Sequence, residues 1–191
     1  KLCRSTTGVH YYYFGGINLM KKLLLILLLI PNFLLAKEQC EDMQQPPQEF
    51  MGMELITFKK YDDPKMGVGV TYWIKSKSTL SGFKFDYGHE TIDQETLKVF
   101  INAAIDEIKI VADQKGTKYV GQYDISKENI SPTLQNSYVF VTEKGVVDFL
   151  SIGTDGSCIY KVRYSEGSQD PKESIKKFVD LARAIEDEMQ D

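Results

Sequence analysis

The chain of 191 residues is poor in side chains that bind metals or act in catalysis, with two histidines, three cysteines and one tryptophan. Residues 37–191 contain one histidine, His89, and two cysteines, Cys40 and Cys158. The two cysteines are too far apart in sequence to form a Cys-x-x-Cys motif. This scarcity argues against zinc sites built from histidine and cysteine. We therefore expect no metal and no other cofactor.

The sequence also lacks the motifs that identify several common enzyme classes. It has no G-x-S-x-G elbow of a nucleophilic hydrolase, no P-loop, no complete dinucleotide fingerprint and no EF-hand spacing. The run at residues 153–157, GTDGS, is typical of a hairpin turn. These absences argue against those chemistries, but they do not exclude an enzyme assembled from scattered carboxylates.

Clusters of basic residues are missing as well. The first 36 residues contain four of the 23 basic side chains and none of the 27 acidic ones, so residues 37–191 carry a formal charge of −8. An acidic chain without a basic cluster argues against nucleic acids and anionic lipid surfaces as partners.

One long apolar run is present, and it predicts the compartment. Residues 20–36 begin with a methionine, Lys21 and Lys22, continue with an apolar run and end at Ala36, which is typical of a secretory signal peptide. A retained membrane anchor would need about 20 apolar residues without the interruption at Pro31. We expect a bacterial periplasmic or secreted protein that is not stably inserted in a membrane after cleavage. We interpret residues 1–19 as a segment upstream of the true start.

Two cysteines follow the predicted signal peptide, Cys40 and Cys158. In an oxidising compartment such a pair most simply forms one disulfide. Two free thiols, or an intermolecular bridge from Cys40, are the alternatives.

Strand patterns occur on both sides of a central helix pattern. Residues 37–52 predict an extended arm, residues 76–82 a polar loop and residues 124–135 a second loop. Alternation of apolar and polar residues predicts strands at residues 53–61, 65–75, 83–87, 137–142, 146–152 and 157–164, with a short extra strand at 117–123.

Two segments have apolar residues at helical spacing. The first covers residues 91–115, where Thr91 and Gln94 have the spacing of a capping box. The second follows Asp170, a predicted N-cap, and Pro171 at the first helical position.

This order of elements, βββα-(β)βββα, predicts an α+β fold. We expect one domain at residues 53–191, in which two amphipathic helices pack on a mostly antiparallel sheet of two three-stranded meanders. The order also resembles the PsbP-like group of small secreted domains over most of the chain beyond residue 36. That resemblance implies an α/β/α layering, and it carries no site residue.

Two places are candidate functional sites. Asp86, His89 and Glu90 lie between a predicted strand end and a helix start, where His89 would be a general base oriented by a carboxylate. The alternative is that these residues are solvated at the start of the helix. Trp73, on the polar side of its strand, is a weak candidate for a binding anchor, or it packs beneath a helix.

The leading functional hypothesis is a non-enzymatic periplasmic or secreted domain that binds another protein or a small ligand, as an inhibitor, an immunity protein or an envelope accessory factor. One alternative is a small periplasmic enzyme that uses carboxylates with His89. Another is a carrier that holds an apolar ligand between the sheet and the helix at residues 91–115. The sequence leaves the oligomeric state open.

Overall fold

The structure is a computed structural model that describes residues 40–75, 77–167 and 170–190. The predicted signal peptide and the upstream segment lie outside these residues. The strands are β1 (Glu49–Phe50), β2 (Met53–Lys60), β3 (Val68–Ile74), β4 (Ser78–Phe85), β5 (Tyr119–Asp124), β6 (Asn136–Thr142), β7 (Val146–Thr154) and β8 (Ile159–Gly167), and the α-helices are α1 (Gln94–Gln114) and α2 (Pro171–Gln190).

All eight strands form one antiparallel sheet in the order β1-β2-β3-β4-β8-β7-β6-β5. The predicted α+β fold with an antiparallel sheet and two helices is therefore confirmed. The grouping into two three-stranded meanders needs correction at the arm, which contributes β1 to the first meander. β5 is the predicted short extra strand, and it joins the second meander beside β6. β4 pairs with β8 along its full length, which joins both meanders into one sheet.

The predicted polar loop at residues 76–82 is wrong from Ser78 onwards, since these residues begin the central strand β4. The serine, threonine and glycine of this segment give it the composition of a loop, although Gly82 has a role in packing. A Cβ atom on Gly82 would lie 2.9 Å from the sulfur of Met189 and 3.1 Å from Cδ1 of Ile185, both on α2. Glycine at this position allows α2 to approach the sheet closely.

The two helices cover opposite faces of the sheet, because neighbouring strand residues point to opposite sides. On β7, Phe149 belongs to the core beneath α2 and stacks on Phe178 at 4.8 Å between ring centroids. The next residue, Leu150, belongs to the core beneath α1, together with Leu97 and Ile108. The result is the three-layer arrangement that the PsbP-like resemblance implies.

The first residues of the two helices test the capping predictions. Helix α1 starts after Asp93, whose carboxylate accepts a hydrogen bond from the Thr96 amide at 2.8 Å. The predicted capping box of Thr91 and Gln94 is wrong, because aspartate is an equally good N-cap and the helix starts later. The Asp170 carboxylate accepts from the Lys172 amide at 2.9 Å, as the N-cap prediction requires.

A disulfide joins Cys40 to Cys158, as predicted. It fixes the arm against the sheet, where the Tyr72 hydroxyl also donates to the Pro47 carbonyl at 3.1 Å. Phe50 in β1 stacks on Tyr72 at 5.1 Å. The arm is therefore a packed part of the domain. None of the helices in the described ranges is both long and apolar enough to cross a membrane.

Replacing both cysteines of the bridge with alanine should lower the free energy of unfolding by about 2–4 kcal/mol, because the unfolded chain regains the entropy of an open loop. Urea denaturation of the oxidised wild type and the double variant measures this difference. The reduced wild type is the control and should resemble the variant. Equal stability of all three proteins would contradict the structural role of the bridge.

Gly153 and Gly167 offer a matched test of packing on the sheet. A Cβ atom on Gly153 would lie 1.6 Å from the Thr133 carbonyl oxygen, whereas one on Gly167 meets no atom within 4 Å. Gly153→Ala should therefore lower the free energy of unfolding by about 1–3 kcal/mol. Gly167→Ala should change it by less than about 0.5 kcal/mol. Thermal or urea unfolding measures both values. Similar values for the two variants would show that the backbone at Thr133 does not pack on Gly153.

Candidate functional site

The loop that contains Asp86, His89 and Glu90 forms a tight turn before α1. The Asp86 carboxylate accepts a hydrogen bond from the Gly88 amide at 2.6 Å. The exposed His89 ring meets the Phe100 ring edge-on at 5.9 Å. Within the described part of the chain, no hydrogen bond joins the His89 ring to Asp86 or Glu90, so its role as a general base stays a prediction.

Trp73 lies at the edge of a surface cavity of about 450 Å³. Trp73 is 38% exposed because α1 packs on residues of β4 to β8 and leaves β3, at this face of the sheet, uncovered. The floor of the cavity comes from neighbouring strands, since Trp73 pairs with Thr79 and Thr79 pairs with Ser165. The strand register therefore builds a recess beside an aromatic side chain.

A second cavity, of about 200 Å³, shares Val146 and Ser165 with the first. It lies at the C-terminal end of α1 and is lined by Lys115, Asp148 and Arg163, among others. We call the two cavities together the groove. Trp73 marks one end of the groove and Arg163 the other.

Asp148 is the buried acid of the groove, with only 6% of its surface exposed. Its carboxylate accepts hydrogen bonds from the hydroxyls of Tyr119 and Ser165, and it lies 3.6 Å from Nη2 of Arg163. Burial, followed by the hydrogen bond to Asp148, raises the pKa of Tyr119 above its usual value. Three strands, β5, β7 and β8, therefore contribute to one polar cluster beneath the apolar face of α1.

Our sequence analysis missed this cluster. One signal for it was present in the sequence. Asp148 lies within an apolar strand, Val146–Thr154, at a position whose side chain alternation directs towards a core. A buried carboxylate needs partners. The sequence could not show that Tyr119 and Arg163 supply them, because these residues come from strands that pairing alone brings together.

A third cavity, of about 430 Å³, lies near the disulfide and is lined in part by Lys84, Asp155 and Tyr160. The Lys84 ammonium donates to the Asp42 carbonyl at 3.1 Å, and burial lowers the pKa of Lys84. The Tyr160 hydroxyl donates to Asp155 at 3.0 Å, and burial together with that carboxylate raises the pKa of Tyr160. The contact with Asp42 helps to hold the arm in place.

Across residues 40–75, 77–167 and 170–190, no group of three or more histidine, cysteine or acidic side chains is arranged to hold a metal ion. No known protein family, curated protein or solved structure matches the chain. The function must therefore be argued from the site itself.

Two ion pairs on β8 should contribute differently to stability, because Asp148, the acid of one pair, is buried, whereas Glu107, the acid of the other, is exposed. Asp148→Asn should lower the free energy of unfolding by about 3–5 kcal/mol, because it leaves the half-buried Arg163 without its counter-charge. Glu107→Gln removes the exposed partner of Lys161 and should cost less than about 1 kcal/mol. Urea denaturation measures both values, and an equal effect of the two substitutions would contradict the buried network.

Proposed function

We propose that the protein is an exported, non-enzymatic binding domain whose ligand occupies the groove. The observation that carries this proposal is Trp73, a large aromatic side chain left 38% exposed beside a recess of about 450 Å³. Tryptophan is enriched among residues that dominate binding energy. Small-molecule sites commonly have volumes of about 300–1,000 Å³. The Cys40–Cys158 bridge supports export, since disulfides persist in oxidising compartments.

The other hypotheses have less support. An apolar carrier would need space between α1 and the sheet, and this region is filled by buried side chains such as Leu97, Ile108 and Leu150. An enzyme based on His89 would need a carboxylate partner for the imidazole. The Asp86 carboxylate instead accepts a backbone hydrogen bond from Gly88. An inhibitor, immunity or accessory role would place a segment of another protein in the groove.

A photo-crosslinking residue at Thr79, which is exposed and lines the groove, should capture the ligand in cells that export the protein. The same residue at Val99, 66% exposed on α1, is the matched control. We expect one product specific to position 79, identified by mass, that is lost when Trp73→Ala is added.

The Trp73→Ala variant must retain the melting temperature of the wild type, since Trp73 lies partly in solvent. Identical products at positions 79 and 99, no product at either, or a product that Trp73→Ala leaves unchanged would refute binding in the groove.

A further inference from the structure

Arg163 has unused hydrogen-bonding capacity at the inner end of the groove. A guanidinium has five N–H donors. Within the described part of the chain, the guanidinium of Arg163 makes no hydrogen bond, and its Nε is buried without a partner. Buried donors in proteins are almost always paired, because an unpaired one loses its hydrogen bonds to water without replacement. The side chain is therefore short of an acceptor.

Asp148 does not fill this need. Its carboxylate lies 3.6 Å from Nη2 of Arg163, beyond hydrogen-bond distance, and accepts from the hydroxyls of Tyr119 and Ser165 instead. Asp148 balances the charge of Arg163 without occupying its donors. The planar guanidinium is suited to a carboxylate that accepts two parallel hydrogen bonds.

The charges that line the groove favour an anion, although the chain as a whole is acidic. Lys77 and Lys115 line it, and neither forms an ion pair in the described ranges. Its other acid, Glu166, is already engaged by Lys177 at 2.8 Å and by the Tyr164 hydroxyl at 2.6 Å. The cations of the groove are therefore less neutralised than its acids.

The C-terminal end of α1 also borders the groove, and exposed carbonyls there would repel an anion. Carbonyls of the last turn accept hydrogen bonds from the residues that follow the helix, however. The Gly116 amide donates to Asp113 at 3.0 Å, and the Thr117 amide donates to Ala112 at 2.9 Å. This capping reduces the repulsion.

The strand register sets the length of a ligand that could contact both Trp73 and Arg163, at the two ends of the groove. Trp73, Thr79 and Ser165 lie in register on three adjacent strands, and Arg163 is two residues further along β8. Neighbouring strands are about 4.8 Å apart, so Trp73 and Arg163 are separated by roughly 10–12 Å.

We propose that the groove binds a small organic anion, with a carboxylate held by Arg163 and a flat apolar group against Trp73. This inference rests on the proposed binding function and specifies its ligand class.

The test uses 4-phenylbutyrate as the probe, with 4-phenylbutyramide as its uncharged counterpart and acetate as the bare carboxylate. Nitrogen-15 NMR follows the Arg163 Nε–H and the indole N–H of Trp73, the only tryptophan of the chain. We expect 4-phenylbutyrate to shift both resonances saturably and acetate to shift that of Arg163. The amide should bind at least about tenfold more weakly, a difference of about 1.4 kcal/mol.

Two arginine variants separate the bidentate contact from charge alone. Arg163→Lys keeps the positive charge, removes the planar donors and should weaken 4-phenylbutyrate binding by about tenfold or more. Arg183→Lys is the matched control, because Arg183 donates to the backbone carbonyls of Ile130 and Asn129 instead of lining the groove. It should bind like the wild type.

Equal affinity for acid and amide, or unchanged binding by Arg163→Lys, would overturn the anion proposal and leave a neutral ligand for the groove. The absence of any saturable shift would also overturn it, while crosslinking at Thr79 would still decide whether the groove binds a ligand. If Arg163→Lys fails to fold, the comparison of acid and amide on the wild type decides alone.

Discussion

The pairing of β4 with β8 is the contact on which the rest of the structure depends. It joins residues 78–85 to residues 159–166, so segments about 80 positions apart in sequence become neighbours. Without it the chain would form two separate meanders, each with additional open edges. With it, a single sheet has two large faces, and each helix has a surface on which to pack. The same register brings Trp73, Thr79, Ser165 and Asp148 into one row across four strands.

The groove follows from unequal coverage of the two faces. Beneath α2 the core includes residues of every strand except β5, and Gly82 allows the helix to pack closely on β4. Helix α1 packs over residues of β4 to β8, so the β3 side of the other face stays open. Polar and aromatic side chains occupy that open part because water remains in contact with it. The proposed binding groove is therefore a consequence of where one helix ends and which strands it covers.

Much of this architecture could be predicted from local patterns. Alternation identified most strands, helical spacing identified both helices, and Asp170 marked the start of α2. The oxidising compartment inferred from residues 20–36 correctly predicted the Cys40–Cys158 pair. Composition misled at residues 78–82, where serine and glycine resemble a loop although Gly82 serves close packing against α2. The Asp148–Arg163 cluster could not be predicted, because its members become neighbours only through the pairing of strands β5 to β8.

The central claim is that Trp73 stands at the open end of a groove lined by three basic and two acidic side chains, in a protein that is acidic as a whole. Because Trp73 is the sole tryptophan, quenching of its fluorescence by iodide and by caesium, at matched ionic strength, tests this claim directly. A formal charge of −8 over residues 37–191 would by itself favour caesium. We predict that iodide quenches more efficiently, because Lys77 lines the recess beside the indole. More efficient quenching by caesium, or a tryptophan that neither ion reaches, would contradict the account.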